Sequence, residues 1–181
     1  VVGHSMGGMV AQEVVARRAD LVHGLVISAS SPAFGKPDGA WQQQFLRERL
    51  QVLDDGKGMM GLAPALVRGM AAPDTPHARL ARATLIMANV PEVTYRQALQ
   101  ALMGFDRRAM LSTLSMPVLC LAGELDRNAP PNVMKQMAQH IAGASFVCLP
   151  GVGHLANMEA PDAFNQTVMG FLMQHFSPPP P

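Results

Sequence analysis

The sequence predicts an α/β fold, a parallel, doubly wound sheet of about four strands interrupted by a helical insertion. Three observations predict it. Short, continuously apolar runs suit strands covered on both faces. Helical patterns separate these runs, so strands and helices alternate as βαβ units. Gly3-His4-Ser5-Met6-Gly7 fits G-x-S-x-G, the sharp strand–turn–helix that presents a serine hydroxyl.

Four runs read as buried strands: the stub Val1-Val2, then Leu25–Ala29, Val118–Ala122 and Ser145–Leu149. Each is followed by turn or cap residues, the last by Pro150-Gly151. Met9 to Arg18 reads as the helix after the glycine turn, with apolar positions at Val10, Val14 and Val15. Pro131 to Ile141 places Val133, Met134, Met137 and Ile141 at helical spacing. Pro161 to Phe176 does the same with Phe164, Val168, Phe171 and Leu172. Residues 33–105 break the rhythm with helices at about 40–54, 59–71, 76–89 and 92–103 and no strand. Such a stretch is too long for a simple connection and reads as a cap over the carboxyl ends of the strands. The expected organisation is core at 1–32, cap at 33–105, core at 106–176 and a disordered Pro-rich tail at 177–181.

Apolar residues make up 49% of the 181 residues and charged ones 15%, a globular balance. A net charge of +1 offers no electrostatic footprint for nucleic acid or an anionic membrane. No apolar run reaches the roughly 18–20 residues needed to span a bilayer. Cys120 and Cys148 lie in apolar runs without zinc-ligand spacing, and read as buried thiols of a reducing, cytoplasmic compartment. No metal site is expected.

The chemistry centres on Ser5. Gly3 and Gly7 are expected to leave room for a tight turn, and Gly8 to let the new helix lie close to the sheet. The Met6 backbone N–H, at the helix N-terminus, is expected to point where an oxyanion forms. Serine needs a base. His4 sits inside the turn, and His23, His77, His140 and His175 lie in helices or polar surface context. His154, in P-G-V-G-H-L-A-N-M-E after the fourth strand, sits at the edge where Ser5 is expected. Asp126, in A-G-E-L-D-R-N-A-P after the third strand, is the best placed acid to orient that imidazole. Glu124 is its nearest competitor and Asp38 another. The order Ser5, Asp126, His154 is the order that G-x-S-x-G enzymes use.

G-H-S-M-G-G-M-V-A-Q, A-G-E-L-D-R-N-A-P and G-V-G-H-L-A-N-M-E-A-P together resemble the α/β-hydrolase superfamily. The nearest likeness is to its capped serine esterases and enol-lactonases, across essentially the whole chain. The resemblance implies cofactor-free acyl transfer to water from a small ester, lactone or thioester. Ser5 would attack the carbonyl, His154 carry the proton and Asp126 hold His154. Serine at the nucleophile position disfavours the aspartate-dependent dehalogenase and epoxide hydrolase branches. Family members carry further strands and an H-G-type loop, source of a second oxyanion donor, before the serine turn. Their absence from these residues implies an incomplete chain, weakly active by itself, with a sticky edge at the first strand. The same triad would also serve an acyltransferase, a carbon–carbon bond hydrolase, or a ligand receptor with little turnover. Trp41, Phe45, Met59, Met60, Met103 and Phe105 of the cap suggest a pocket for an apolar substrate portion.

Overall fold

In a computed structural model, residues 1–36 and 38–176 are described; the predicted tail at 177–181 lies outside them. Four parallel strands form one sheet in the order β1-β2-β3-β4: β1 Val2–His4, β2 Leu25–Ser28, β3 Val118–Gly123 and β4 Ser145–Leu149. The register aligns Gly3, Ile27, Cys120 and Phe146 in one row across the sheet. His4, Ser28, Leu121 and Val147 form the next row, where β1 and β2 end; β3 and β4 run two residues further.

Side chains alternate across this sheet as the period of two demands. Leu25, Ile27, Val118 and Cys120 pack on one face against helix α1 (Met6–Arg18) and helix α6 (Pro131–Gln139). Met134 and Met137 of α6 are buried in that layer. Val26 and Leu119 face the other way, onto Phe171, Val168 and Leu172 of helix α8 (Pro161–Phe176). Each fully buried aliphatic side chain in these layers contributes about 1.5–3 kcal/mol relative to exposure.

Only β2 and β3 are covered along their whole length. β1 and β4 are edges, half-open to solvent, because each has a single neighbour. The continuous apolar run at Ser145–Leu149 therefore does not signify burial, and Cys148 is exposed rather than a buried thiol. Cys120 is enclosed, and burial pushes its thiol up to about 12. Helix α1 also turns differently from the expected face. It buries Gly8, Ala11, Gln12 and Val15 and leaves Val10 and Val14 exposed, since the sheet lies under the small residues.

Between β2 and β3 the chain forms α2 (Ala40–Asp54), α3 (Gly58–Met70), α4 (His77–Ala88) and α5 (Glu92–Met103), with no strand among the described residues. A 3-10 turn over Arg108–Thr113 returns it to β3. The insertion has its own core of Leu53, Met59 and Leu62, packed by Met87, Val90 and Tyr95. A second cluster, Val67, Leu80 and Ala83, meets Leu155 and Met158. Met158 lies in a short helix, α7 (Ala156–Glu159), that joins the insertion to the end of the sheet.

Candidate active site

β1 ends at His4 and α1 begins at Met6, so one residue makes the reversal. That residue is Ser5, with φ 52° and ψ −122°. A side chain at positive φ is strained, by about 1–3 kcal/mol, and the surroundings must enforce it. Here the Ser5 N–H donates to the Ser28 carbonyl at 2.8 Å, and the Ser5 carbonyl accepts from Gly8 N–H at 2.9 Å. A Cβ on Gly3 would stand 2.4 Å from the Gly7 carbonyl oxygen, and one on Gly8 would stand 2.6 Å from Ser30 Cβ. A Cβ on Gly7 would meet nothing within 4 Å. The steric need expected at Gly7 therefore falls on Gly3, which faces Gly7's backbone, while Gly8 does bring the helix onto the strand end. Met6 opens α1, and its N–H has no backbone acceptor among the described residues.

His154 follows β4 and Asp126 follows β3, and the fold brings both to Ser5. Nε2 of His154 lies 2.8 Å from Ser5 Oγ, and Nδ1 lies 2.8 Å from Asp126 Oδ2. An ionised carboxylate only accepts, so Nδ1 carries the proton and Nε2 is free to accept from the serine. Asp126 Oδ1 accepts the backbone N–H groups of Asn128 at 2.8 Å and Ala129 at 3.0 Å, which fixes the carboxylate plane. Both Asp126 and His154 are buried. Glu124 is exposed, with its carboxylate on Gly151 N–H at 2.7 Å, and Asp38 is exposed in the turn before α2. Neither competing acid meets the imidazole.

Two glycines let the histidine loop pass close to its neighbours. A Cβ on Gly123 would stand 2.2 Å from the Gly153 carbonyl oxygen, and one on Gly153 would stand 2.5 Å from Ala72 N. The His154 N–H donates to the carbonyl of Met70, the last residue of α3, at 2.9 Å. The helical insertion is thereby stitched to the loop that carries the imidazole.

Glu159 completes this joint and was not singled out from sequence. Its Oε2 accepts from Ala72 N–H at 2.8 Å, Thr75 Oγ1 at 2.8 Å and Gly153 N–H at 3.1 Å. Its Oε1 accepts from Leu155 N–H at 2.8 Å. A lone acid in the apolar stretch after the histidine was the one signal that pointed to it.

His4 lies beside the imidazole, with ring centroids 5.2 Å apart and its Nδ1 3.3 Å from Ser28 Oγ. Its Nε2 is buried without a hydrogen-bond partner among the described residues. Burial, helped by the nearby His154, lowers its pKa to about 4, so His4 is neutral near pH 7.

Ser5 and His154 open onto a cavity of about 450 Å³ between the strand ends and the insertion. Trp41 and Phe45 line it as expected, and with Phe34 they form an aromatic cluster at 5.1–5.7 Å. Met6, Met9, Met70 and Met87 also line it. The other four predicted pocket residues do not. Met59 is buried inside the insertion's own core and Met60 is 70% exposed on its outer side. Phe105 is buried, its carbonyl accepting from Phe34 N–H, and Met103 ends α5; neither lines the cavity. Among the described residues no group of three histidine, cysteine or acidic side chains is placed to hold a metal ion.

A family model described as the alpha/beta hydrolase family matches residues 1–167. The chain belongs to the alpha/beta hydrolase family. One similar relative is the pimeloyl-[acyl-carrier protein] methyl ester esterase of Yersinia enterocolitica, 28% identical over 95% of this chain and 68% of that protein. Among solved structures, a thermophilic esterase from Thermogutta terrifontis superposes with a TM-score of 0.83 at 26% identity, over 97% of this chain and 65% of that one. The enol-lactonase from Burkholderia xenovorans gives 0.81 at 28% identity, over 95% of this chain and 64% of that one. The chain thus spans about two thirds of the length of these hydrolase relatives.

Proposed function

We propose that these residues carry the catalytic machinery of a serine hydrolase acting on a carboxylic ester, lactone or thioester through an acyl-enzyme. One observation carries the reading: the unbroken chain Ser5 Oγ–His154–Asp126, with both contacts at 2.8 Å, opening on an apolar cavity. Esterases and an enol-lactonase among the relatives support the same class of reaction.

The steps follow from the geometry. Ser5 Oγ attacks the carbonyl carbon as its proton passes to His154 Nε2. Asp126 stabilises the imidazolium and keeps Nδ1 protonated. The Met6 N–H, with the positive end of α1 behind it, meets the oxyanion. His154 then protonates the leaving alcohol or thiol, and the acyl group stays on Ser5. Water then attacks the acyl carbon while giving a proton to His154 Nε2; the carbon–Oγ bond breaks, His154 returns that proton to Ser5 Oγ, and the acid leaves. The helices of residues 40–103 act as a lid that keeps the acyl group in a largely apolar wall.

The test is turnover of small p-nitrophenyl esters with two variants. Ser5→Ala should abolish it. Asp126→Asn should lower kcat by about 10⁴-fold while the fold persists. The Asn oxygen would stay on the Asn128 and Ala129 N–H groups, so its NH₂ would face Nδ1 and force the proton onto Nε2. Full turnover by either variant would overturn the proposal.

A further inference from the structure

Among the described residues the cavity wall holds one charged side chain, Arg49. Arg49, in α2, lines it together with Phe45, Leu66, Thr94 and Tyr95, and no acidic residue lines it. Its guanidinium carbon lies 3.4 Å from the Phe45 ring centroid, stacked on the aromatic face. One N–H group reaches the Phe45 carbonyl at 3.3 Å, and the Tyr95 hydroxyl is its other polar neighbour. Among the described residues Arg49 forms no ion pair, as is also true of Arg47, Arg68, Arg79, Arg82 and Arg127, but of these only Arg49 lines the cavity. Its neighbour Glu48 is exposed and bonded to Gln44 instead.

A half-buried cation is costly, and burial lowers its pKa, opposed by Tyr95 and the exposed Glu48. The stacking on Phe45 holds the planar fork in place, which reduces what is lost when it grips a ligand. A stacked guanidinium lining the same largely apolar cavity as a nucleophile suits a ligand with the matching pattern: scissile carbonyl, apolar span, terminal anion.

We propose that Arg49 is a specificity-determining residue that selects esters or thioesters bearing one anionic group, with the acyl half as its carrier, as in a monoester of a small dicarboxylic acid. The inference rests on the hydrolase reading, since Ser5 defines the other end of the ligand. A charge-assisted, bidentate contact of this kind gives about a tenfold to hundredfold preference over a neutral isostere.

Binding and turnover separate the two readings. In Ser5→Ala protein, calorimetry with monomethyl adipate and with methyl hexanoate should give a tenfold or greater preference for the acid. Arg49→Gln should bring that ratio close to one. Arg49→Lys should restore part of it, because a point charge replaces the fork. Equal affinity for the two esters, or a preference that survives Arg49→Gln, would overturn the proposal. A preference seen only for a neutral acyl ester of a phosphorylated alcohol would overturn it too, by placing the anion in the leaving group. Thermal melting of the variants, unchanged within a few degrees, separates lost recognition from unfolding. The hydrolase reading fails on a different result, absence of Ser5-dependent turnover with neutral esters, and the binding ratio is measured without turnover.

Discussion

Glu159 grips the backbone on both sides of His154, accepting from Gly153 N–H at 3.1 Å and from Leu155 N–H at 2.8 Å. The same carboxylate accepts from Ala72 N–H and Thr75 Oγ1, in the linker between α3 and α4. One side chain therefore ties the imidazole to the insertion that roofs the cavity. Any loosening there should be felt at the 2.8 Å contact between His154 Nε2 and Ser5 Oγ.

Glu159→Gln tests this coupling with almost no change of size. An amide nitrogen cannot accept, so whichever way it faces, Leu155 N–H or the three donors on Oε2 lose their partner. Leaving such groups unsatisfied costs about 1–3 kcal/mol, visible in urea unfolding. Misplacing the imidazole should also lower kcat by roughly tenfold to a hundredfold, with a smaller change in KM. A variant that loses stability but keeps kcat would make Glu159 a scaffold residue without a positioning role.

The two glycines flanking the serine turn should respond in opposite ways to alanine. At Gly3 the added Cβ would meet the Gly7 carbonyl oxygen at 2.4 Å, backbone that cannot move without releasing Ser5 from its strained conformation. Gly3→Ala should therefore fail to fold or lose the Ser5–His154 contact. At Gly7 the Cβ meets open space, and the position lies in α1 without a positive φ. Gly7→Ala should be neutral to stabilising, by up to about 1 kcal/mol of helix propensity. Melting temperatures of the two variants give the comparison, and a destabilised Gly7→Ala would count against the geometry.

The Ser5–His154–Asp126 constellation was legible because each member lies within five residues after a strand, and parallel strands put their carboxyl ends at one edge. Ser5, Asp126 and His154 needed only that topology. Trp41 and Phe45 line the cavity but Met59, Met60, Met103 and Phe105 do not, for a different reason. Which side of an insertion helix faces the cavity depends on how four helices pack on one another, and sequence periodicity does not encode that. The exposed Cys148 and Val10 fail likewise, because an apolar residue on an edge strand or outer helix face reads the same as a core one. Glu159 and Arg49 were passed over because an acid or a cation on a helix is ordinarily a solvated one. Their importance lies in what faces them.

His4 makes stability depend on pH with a definite sign. Its pKa of about 4 in the folded protein lies below the model-peptide value of 6.5, chiefly because burial disfavours the charged ring. Between these values the unfolded chain binds more protons than the folded one, so stability rises with pH through that window. The contribution is complete above about pH 6.5 and is lost as pH falls towards 4, reaching at most about 3 kcal/mol. A protonated His4 would also sit 5.2 Å from the ring of His154, opposing the imidazolium that the proposed mechanism needs. His4→Gln removes the titration. Its unfolding free energy, measured in urea from pH 7 to pH 4, should fall less steeply than that of the unaltered chain. The difference between the two curves should grow on acidification, and parallel curves would mean that His4 does not titrate as a buried base.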